Sequence, residues 1–141
     1  MLLAVRRWHW RRDTSLEGRD VADTTVSRGQ GEGKAIWLLG GLYEVKAAGD
    51  ETNGTLTVMQ MTMPAGMGPP PHTHPGPESG YLLEGEFTLL VDGQPSLLLK
   101  AGDSYKVPSG AIHDARSGDK GAKVIATYVV EKGKPLASPA N

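Results

Sequence analysis

"GMGPPPHTHPGPESGYLLEG", residues 66–85, decides how this chain is to be read. Only four histidines occur in 141 residues, yet His72 and His74 stand one residue apart, behind three prolines and just ahead of Glu78. Side chains two apart on an extended segment point to the same side, so both imidazoles face one way. The corner at Pro75, Gly76 and Pro77 is stiff, which limits the entropy lost when Glu78 folds back toward the same interior. A second stretch, "GDSYKVPSGAIHDARS" at 102–117, carries His113 behind a Pro108/Gly110 turn that delivers it inward. Three neutral imidazoles and a carboxylate form a borderline donor set, suited to one divalent ion of Fe, Mn, Ni, Zn, Co or Cu. Calcium wants mostly oxygen, and closed structural zinc sites more often recruit thiolates. On an octahedral ion, four protein ligands leave two neighbouring positions for water, dioxygen or a chelating substrate.

The rest of the chain reads as strand, turn, strand. Nineteen glycines and ten prolines punctuate it into short extended runs, and no convincing helical periodicity occurs. "AIWLL" (35–39) and "LYEVKA" (42–47) flank Gly40-Gly41. "TLTVMQMTM" (55–63) alternates and places Thr55, Thr57, Met59, Met61 and Met63 on one face. "FTLLVDGQPSLLL" (87–99) reads as a hairpin with Asp92-Gly93 in a type I′ turn. Further strands are predicted at "ESGYLLEGE", "SYKVP", "AIHDAR" and "AKVIATYVVE". Eight or nine short strands predict an all-β sandwich or barrel. Gly66, Gly85, Gly102 and Gly110 open turns that need positive φ or close backbone approach. Residues 1–32 read as a flexible N-terminal extension and 33–141 as a single barrel domain, large enough for one core.

Composition excludes several classes. With no cysteine there are no disulfides and no thiolate chemistry, which fits a cytoplasmic protein. No apolar run approaches the roughly 20 residues of a membrane span. The opening "MLLAVRRWHWRR" holds Arg6, Arg7, Arg11 and Arg12 without an acid; setting these four of the 15 basic residues aside leaves 11 against 16 acidic, a net of −5. An acidic body is a poor nucleic-acid binder, so neither nucleic acid nor membrane is an expected partner. His9 lies in this leader and is expected to be solvated.

Taken together, the two histidine stretches resemble the two motifs of the cupin superfamily. The first is Gly, five residues, His-x-His, three or four residues, Glu, six residues, Gly; Gly66, His72, His74, Glu78 and Gly85 fit it at every spacing. The second is Gly, five residues, Pro-x-Gly, two residues, His, three residues, Asn; Gly102, Pro108, Gly110 and His113 fit, and Ser117 stands in place of Asn. The resemblance covers about residues 34–131. It implies a double-stranded β-helix (jelly-roll) barrel with the metal held by His72, His74, Glu78 and His113. The Ser117 departure touches no ligand and affects a local hydrogen bond. "PPHTHPGPES" also resembles the ligand box of germins, but germins are secreted and carry a cysteine pair that this chain lacks.

What the resemblance implies for activity is a metal-dependent oxidoreductase of the dioxygenase kind, acting on a small aromatic or enol-type molecule. A metal-dependent isomerase or lyase, and a non-catalytic binding cupin, are the alternatives. Glu78 is expected as a ligand that can double as a base. Met59, Met61, Leu82, Tyr105 and Ala115 are the expected substrate contacts. The reasons are an inward methionine face, shared strand parity with Glu78 or His113, and a phenol able to hydrogen-bond. With the histidines assigned, only Tyr81, Tyr105 or Tyr128 could serve as an additional base. Lys100, Lys106 and Arg116 have no parity relation to the site. Pairing of barrels through their sheets predicts a homodimer.

Overall fold

The computed structural model of the protein describes residues 20–38 and 40–141. The arginine-rich leader, His9 and Leu39 at the end of the first predicted strand lie outside the described residues. Nine strands follow in order: β1 (Ala35–Leu38), β2 (Gly41–Ala47), β3 (Leu56–Met63), β4 (His72–Thr73), β5 (Glu78–Val91), β6 (Leu97–Lys100), β7 (Ser104–Val107), β8 (His113–Val129) and β9 (Ser138–Pro139). Two short 3₁₀ turns, Val21–Asp23 and Gly49–Thr52, are the only helical pieces among the described residues. No helix there is long and apolar enough to cross a membrane.

All pairings are antiparallel, and β8 organises them. Its second half lies between β3 (Met63↔Ala122 to Leu56↔Val129) and the first half of β5 (Gly85↔Ala122 to Glu78↔Tyr128). Its first half continues along β5 from Phe87↔Ser117 to Val91↔His113. It ends at β4, where His72 faces His113 across the ladder. β2 and β1 extend the β3 side, β6 and β7 flank β5, and β9 closes on β4. Two predicted strands therefore merge into β5 and two more into β8. Residues at "LEGE" and "SGDKG" are absorbed as irregularities within long curved strands, because a bulge bends a strand without ending it.

The core is the inward face of this curl. β3 alternates strictly, with Thr57, Met59, Met61 and Met63 buried and the intervening residues half-buried, as the sequence pattern predicts. Phe87, Leu82, Val107 and Val124 are the large side chains fully removed from solvent. Each contributes about 1.5–3 kcal/mol through burial. All four motif glycines, Gly66, Gly85, Gly102 and Gly110, adopt positive φ. The turn after β5 departs from the type I′ expectation. Gln94 N–H reaches Val91 C=O at 3.0 Å and Gly93 has φ +73°, but Asp92 does not enter the positive-φ region. The β5–β6 register resumes only at Leu89↔Leu97, so a longer connection carries Pro95, which has no N–H to give to a ladder.

Of the predicted extension, residues 28–32 are fastened to the barrel. The Arg28 guanidinium donates to Lys46 C=O at 2.8 Å and forks onto Glu51. Lys46 Nζ in turn donates to the carbonyls of Gly29 (3.1 Å) and Glu32 (3.0 Å). β1 is different: all four residues are exposed, Trp37 at 71%, on an edge that, among the described residues, pairs only with β2.

Candidate metal centre

Three strands bring the motif residues together. His72 lies on β4 and His74 just beyond it, Glu78 opens β5 and His113 opens β8. Gly110 N–H donates to His74 C=O at 2.9 Å, tying the second motif to the first. His74, Glu78 and His113 are 7%, 5% and 4% exposed, and His72 is half-buried. One ligand atom from each of the four lies within 4.8 Å of the others.

The hydrogen bonds fix which atoms converge. Each imidazole Nδ1 faces a backbone carbonyl: His72 that of Pro70 at 2.7 Å, His74 that of Leu136 at 2.7 Å, His113 that of Ala111 at 2.9 Å. A carbonyl only accepts, so Nδ1 carries the proton and each neutral ring presents an Nε2 lone pair to the centre. His72 Nε2 stands 3.1 Å from His74 Nε2, and Glu78 Oε2 lies 3.2 Å and 3.1 Å from the Nε2 atoms of His74 and His113. Four acceptors pointed at one another repel unless a positive charge lies among them. Ligands bound about 2.1 Å from one centre at right angles stand about 3 Å apart, so the spacing fits a divalent transition ion. These residues form a group that can hold a metal.

The electrostatics run the same way. Without a metal, burial pushes Glu78 up, but the contacts with His113 and His74, which donate when a ring is also protonated at Nε2, and the Tyr105 hydroxyl outweigh it and hold the carboxyl at about 2. Burial lowers His113, and its contact with Glu78 reverses this to a net rise. His72 is lowered, chiefly by burial. The Tyr105 hydroxyl donates to Glu78 Oε1 at 2.6 Å, which leaves Oε2 as the ligand atom. Burial, then the Glu78 charge, raises Tyr105 and Tyr128 well above the ordinary phenol value.

These atoms lie at the floor of a cavity of about 620 Å³. Met59, Met61, Tyr105 and Ala115, all expected from the sequence, line it. Leu82 does not; it is fully buried elsewhere in the core. Parity with Glu78 is kept and the side chain points inward, but it packs into the core and not onto the cavity wall. Tyr128 lines the cavity, while Tyr81 is exposed on the opposite face of β5. Lys100, Lys106 and Arg116 are exposed and away from it. Tyr43, Phe87, the Pro69–Pro71 run and the Leu136–Pro139 segment are lining elements that sequence reasoning missed. Gly80 is small for a reason: a Cβ there would sit 2.2 Å from the Tyr105 ring. Ser117, the departure from the second motif, makes a clamp. Its hydroxyl accepts from Met67 N–H at 3.1 Å and donates to Pro64 C=O, holding the loop that leads into His72.

Comparison with known proteins agrees with this geometry. The family model for the cupin domain matches residues 59–130, half of the chain. This chain belongs to the cupin family. The cupin's fold is accordingly the all-β jelly roll. Dimethylsulfoniopropionate lyase DddQ of Ruegeria pomeroyi is 36% identical to it over 72 residues, covering 51% of this chain and 36% of that protein. Quercetin 2,3-dioxygenase of Bacillus subtilis is 31% identical over 100 residues, covering 70% of this chain and 29% of that protein. This cupin thus spans about a third of the length of either curated relative. The crystal structure of an RmlC-like cupin from Shewanella frigidimarina superimposes with a TM-score of 0.66 at 23% identity, over 78% of this chain and 95% of that one.

Proposed function

We propose that this cupin is a metal-dependent oxygenase for a small, mainly apolar substrate of aromatic or enol type, with His72, His74, Glu78 and His113 as the ligands. One observation carries the reading: four convergent acceptors form the polar floor of a cavity whose walls are methionine, proline, leucine and aromatic rings. A bound divalent ion would supply a Lewis-acid anchor for an enol or hydroxy-ketone oxygen pair and a place for dioxygen beside it. The chain's own contribution is orientation and exclusion of water. Met59, Met61 and Phe87 offer an adaptable apolar wall to a flat ring. Tyr105 keeps Glu78 Oε1 occupied, so the carboxylate stays ionised and aimed through Oε2. The similarity to a quercetin dioxygenase supports the same substrate class.

A lyase is the second reading, supported by the similarity to DddQ and by a buried phenol beside the ligand carboxylate. It needs a base, and the Tyr105 proton is already engaged with Glu78. The two readings separate in an oxygen electrode. Protein loaded in turn with iron(II), manganese(II), cobalt(II) and nickel(II) is given flavonols, catechols and cyclic enols. Oxygen uptake matching substrate loss is expected. Binding of these compounds with no uptake for any metal would favour a non-catalytic binding cupin; turnover that persists without oxygen would favour the lyase. The expected homodimer has its seam at the exposed β1 edge, and a monomer in sedimentation at micromolar concentration would count against it.

A further inference from the structure

We propose that the segment after β8, residues 131–141, is a latch that governs metal retention and access to the cavity together, with Leu136 as the positioning residue for His74. The inference rests on the metal-site reading above.

The three imidazoles are not oriented alike. His72 and His113 take their carbonyl partners from two residues away, within their own segments. His74 takes its partner from Leu136, 62 residues distant along the chain. Two rings are therefore aimed by local backbone, and the third only while a remote segment is docked. That segment is also a wall of the cavity, through Leu136, Ala137, Ser138 and Pro139. It lies beyond residue 130, where the match to the family model ends.

Its described attachments are few. β9 pairs with β4 over two residues, His72↔Pro139 and Thr73↔Ser138. Ala140 N–H donates to Pro71 C=O at 3.1 Å, and the Leu136 side chain packs against the core. The stretch 131–135 is exposed throughout and turns on itself, with Lys134 N–H donating to Glu131 C=O at 3.0 Å and Gly133 at φ +83°. Short pairing and an exposed turn place such a segment at the low end of local stability. Undocking would remove the His74 Nδ1 acceptor and open the cavity wall in one movement. By linkage, whatever factor docking adds to metal affinity, metal adds to docking.

A backbone carbonyl cannot be mutated, so the test loosens its anchors on either side. Leu136→Ser removes the apolar anchor, Ala140→Pro removes the N–H donor, and Lys134→Ala, on the exposed turn, is the control. Cobalt(II) is the probe, followed by its visible absorption and by competition with a chelator. Loss of a partner that orients a ligating imidazole typically weakens metal binding about 10–100-fold. Leu136→Ser and Ala140→Pro should each weaken cobalt at least about 10-fold, and Lys134→Ala should not. In the unaltered chain, cobalt should slow hydrogen exchange across 136–140 more than across β6. If the unaltered chain binds cobalt, but both variants bind it as tightly and exchange at 136–140 ignores the metal, the latch is wrong and the metal site stands. If the unaltered chain binds no cobalt, the metal-site reading itself fails.

Discussion

Replacing Tyr105 by phenylalanine in metal-free protein isolates one bond at the centre of the site. The hydroxyl donates to Glu78 Oε1 at 2.6 Å, shorter than the contacts to His113 and His74 at 3.1 and 3.2 Å. Phenylalanine keeps the ring, its edge contact with Phe87 at 5.4 Å and its fit over Gly80, so packing is nearly preserved. What is lost is a buried hydrogen bond to a charged group, about 1.5–3 kcal/mol. An independent route gives a compatible figure. Glu78 sits at about 2 against an ordinary 4.5, which links to about 3 kcal/mol of stability at neutral pH. Shared among three donors, about 1 kcal/mol falls to Tyr105, and the unpartnered oxygen adds to that. An overall loss near 2 kcal/mol corresponds to a melting temperature lower by about 6 °C for a chain of this size. The sign with pH follows from a depressed carboxyl. Its stabilisation is complete above about 4.5 and disappears as pH falls through about 2. Urea denaturation of both proteins from pH 7 down to pH 2.5 should therefore show a gap that narrows with acid. Equal stability at pH 7, or a gap that does not narrow, would refute this account of Glu78.

Three further outcomes are expected. His74→Ala should abolish stoichiometric binding of a divalent transition metal while the barrel still folds, checked by metal analysis beside circular dichroism; unchanged stoichiometry would contradict the ligand set. Gly80→Ala forces a Cβ against the Tyr105 ring and should cost about 1–3 kcal/mol, read by denaturant midpoint, with Gly80→Ala/Tyr105→Ala costing less than the sum of the two single changes. Ser117→Ala removes two hydrogen bonds of this clamp and leaves Met67 N–H only its 3.2 Å bond to Pro64 C=O, and should cost about 0.5–1.5 kcal/mol. The same change should raise hydrogen exchange at Met67.

Strand parity made much of this molecule legible. The alternation through Met59, Met61 and Met63 marks the inward face of β3, and the spacing from Gly66 to Gly85 picks out His72, His74 and Glu78, which the fold brings together. Parity separates inward from outward residues but not cavity wall from packed core, which is why Leu82 is buried without lining the cavity. β4 and β9, two residues each, are too short to show any period. The glycines at 85, 118 and 121 look like strand ends in sequence, yet β5 and β8 run through them because irregularities are absorbed in bent ladders. The Leu136 carbonyl was invisible for a deeper reason: every residue has one, and only the tertiary fold selects which will be used.

The carbonyls of Pro70, Ala111 and Leu136 have one more consequence. Those of Pro70 and Ala111 aim their imidazoles from neighbouring backbone and that of Leu136 from the segment after β8, so the ring directions are set by main chain and not by the identity of an ion. A set of nitrogen and oxygen ligands ranks first-row ions by intrinsic affinity, and that ranking favours copper over iron or manganese. Selection then falls to ligand geometry and to metal availability where the chain is made. Expression under different metal supplies should yield one protein with different chemistries.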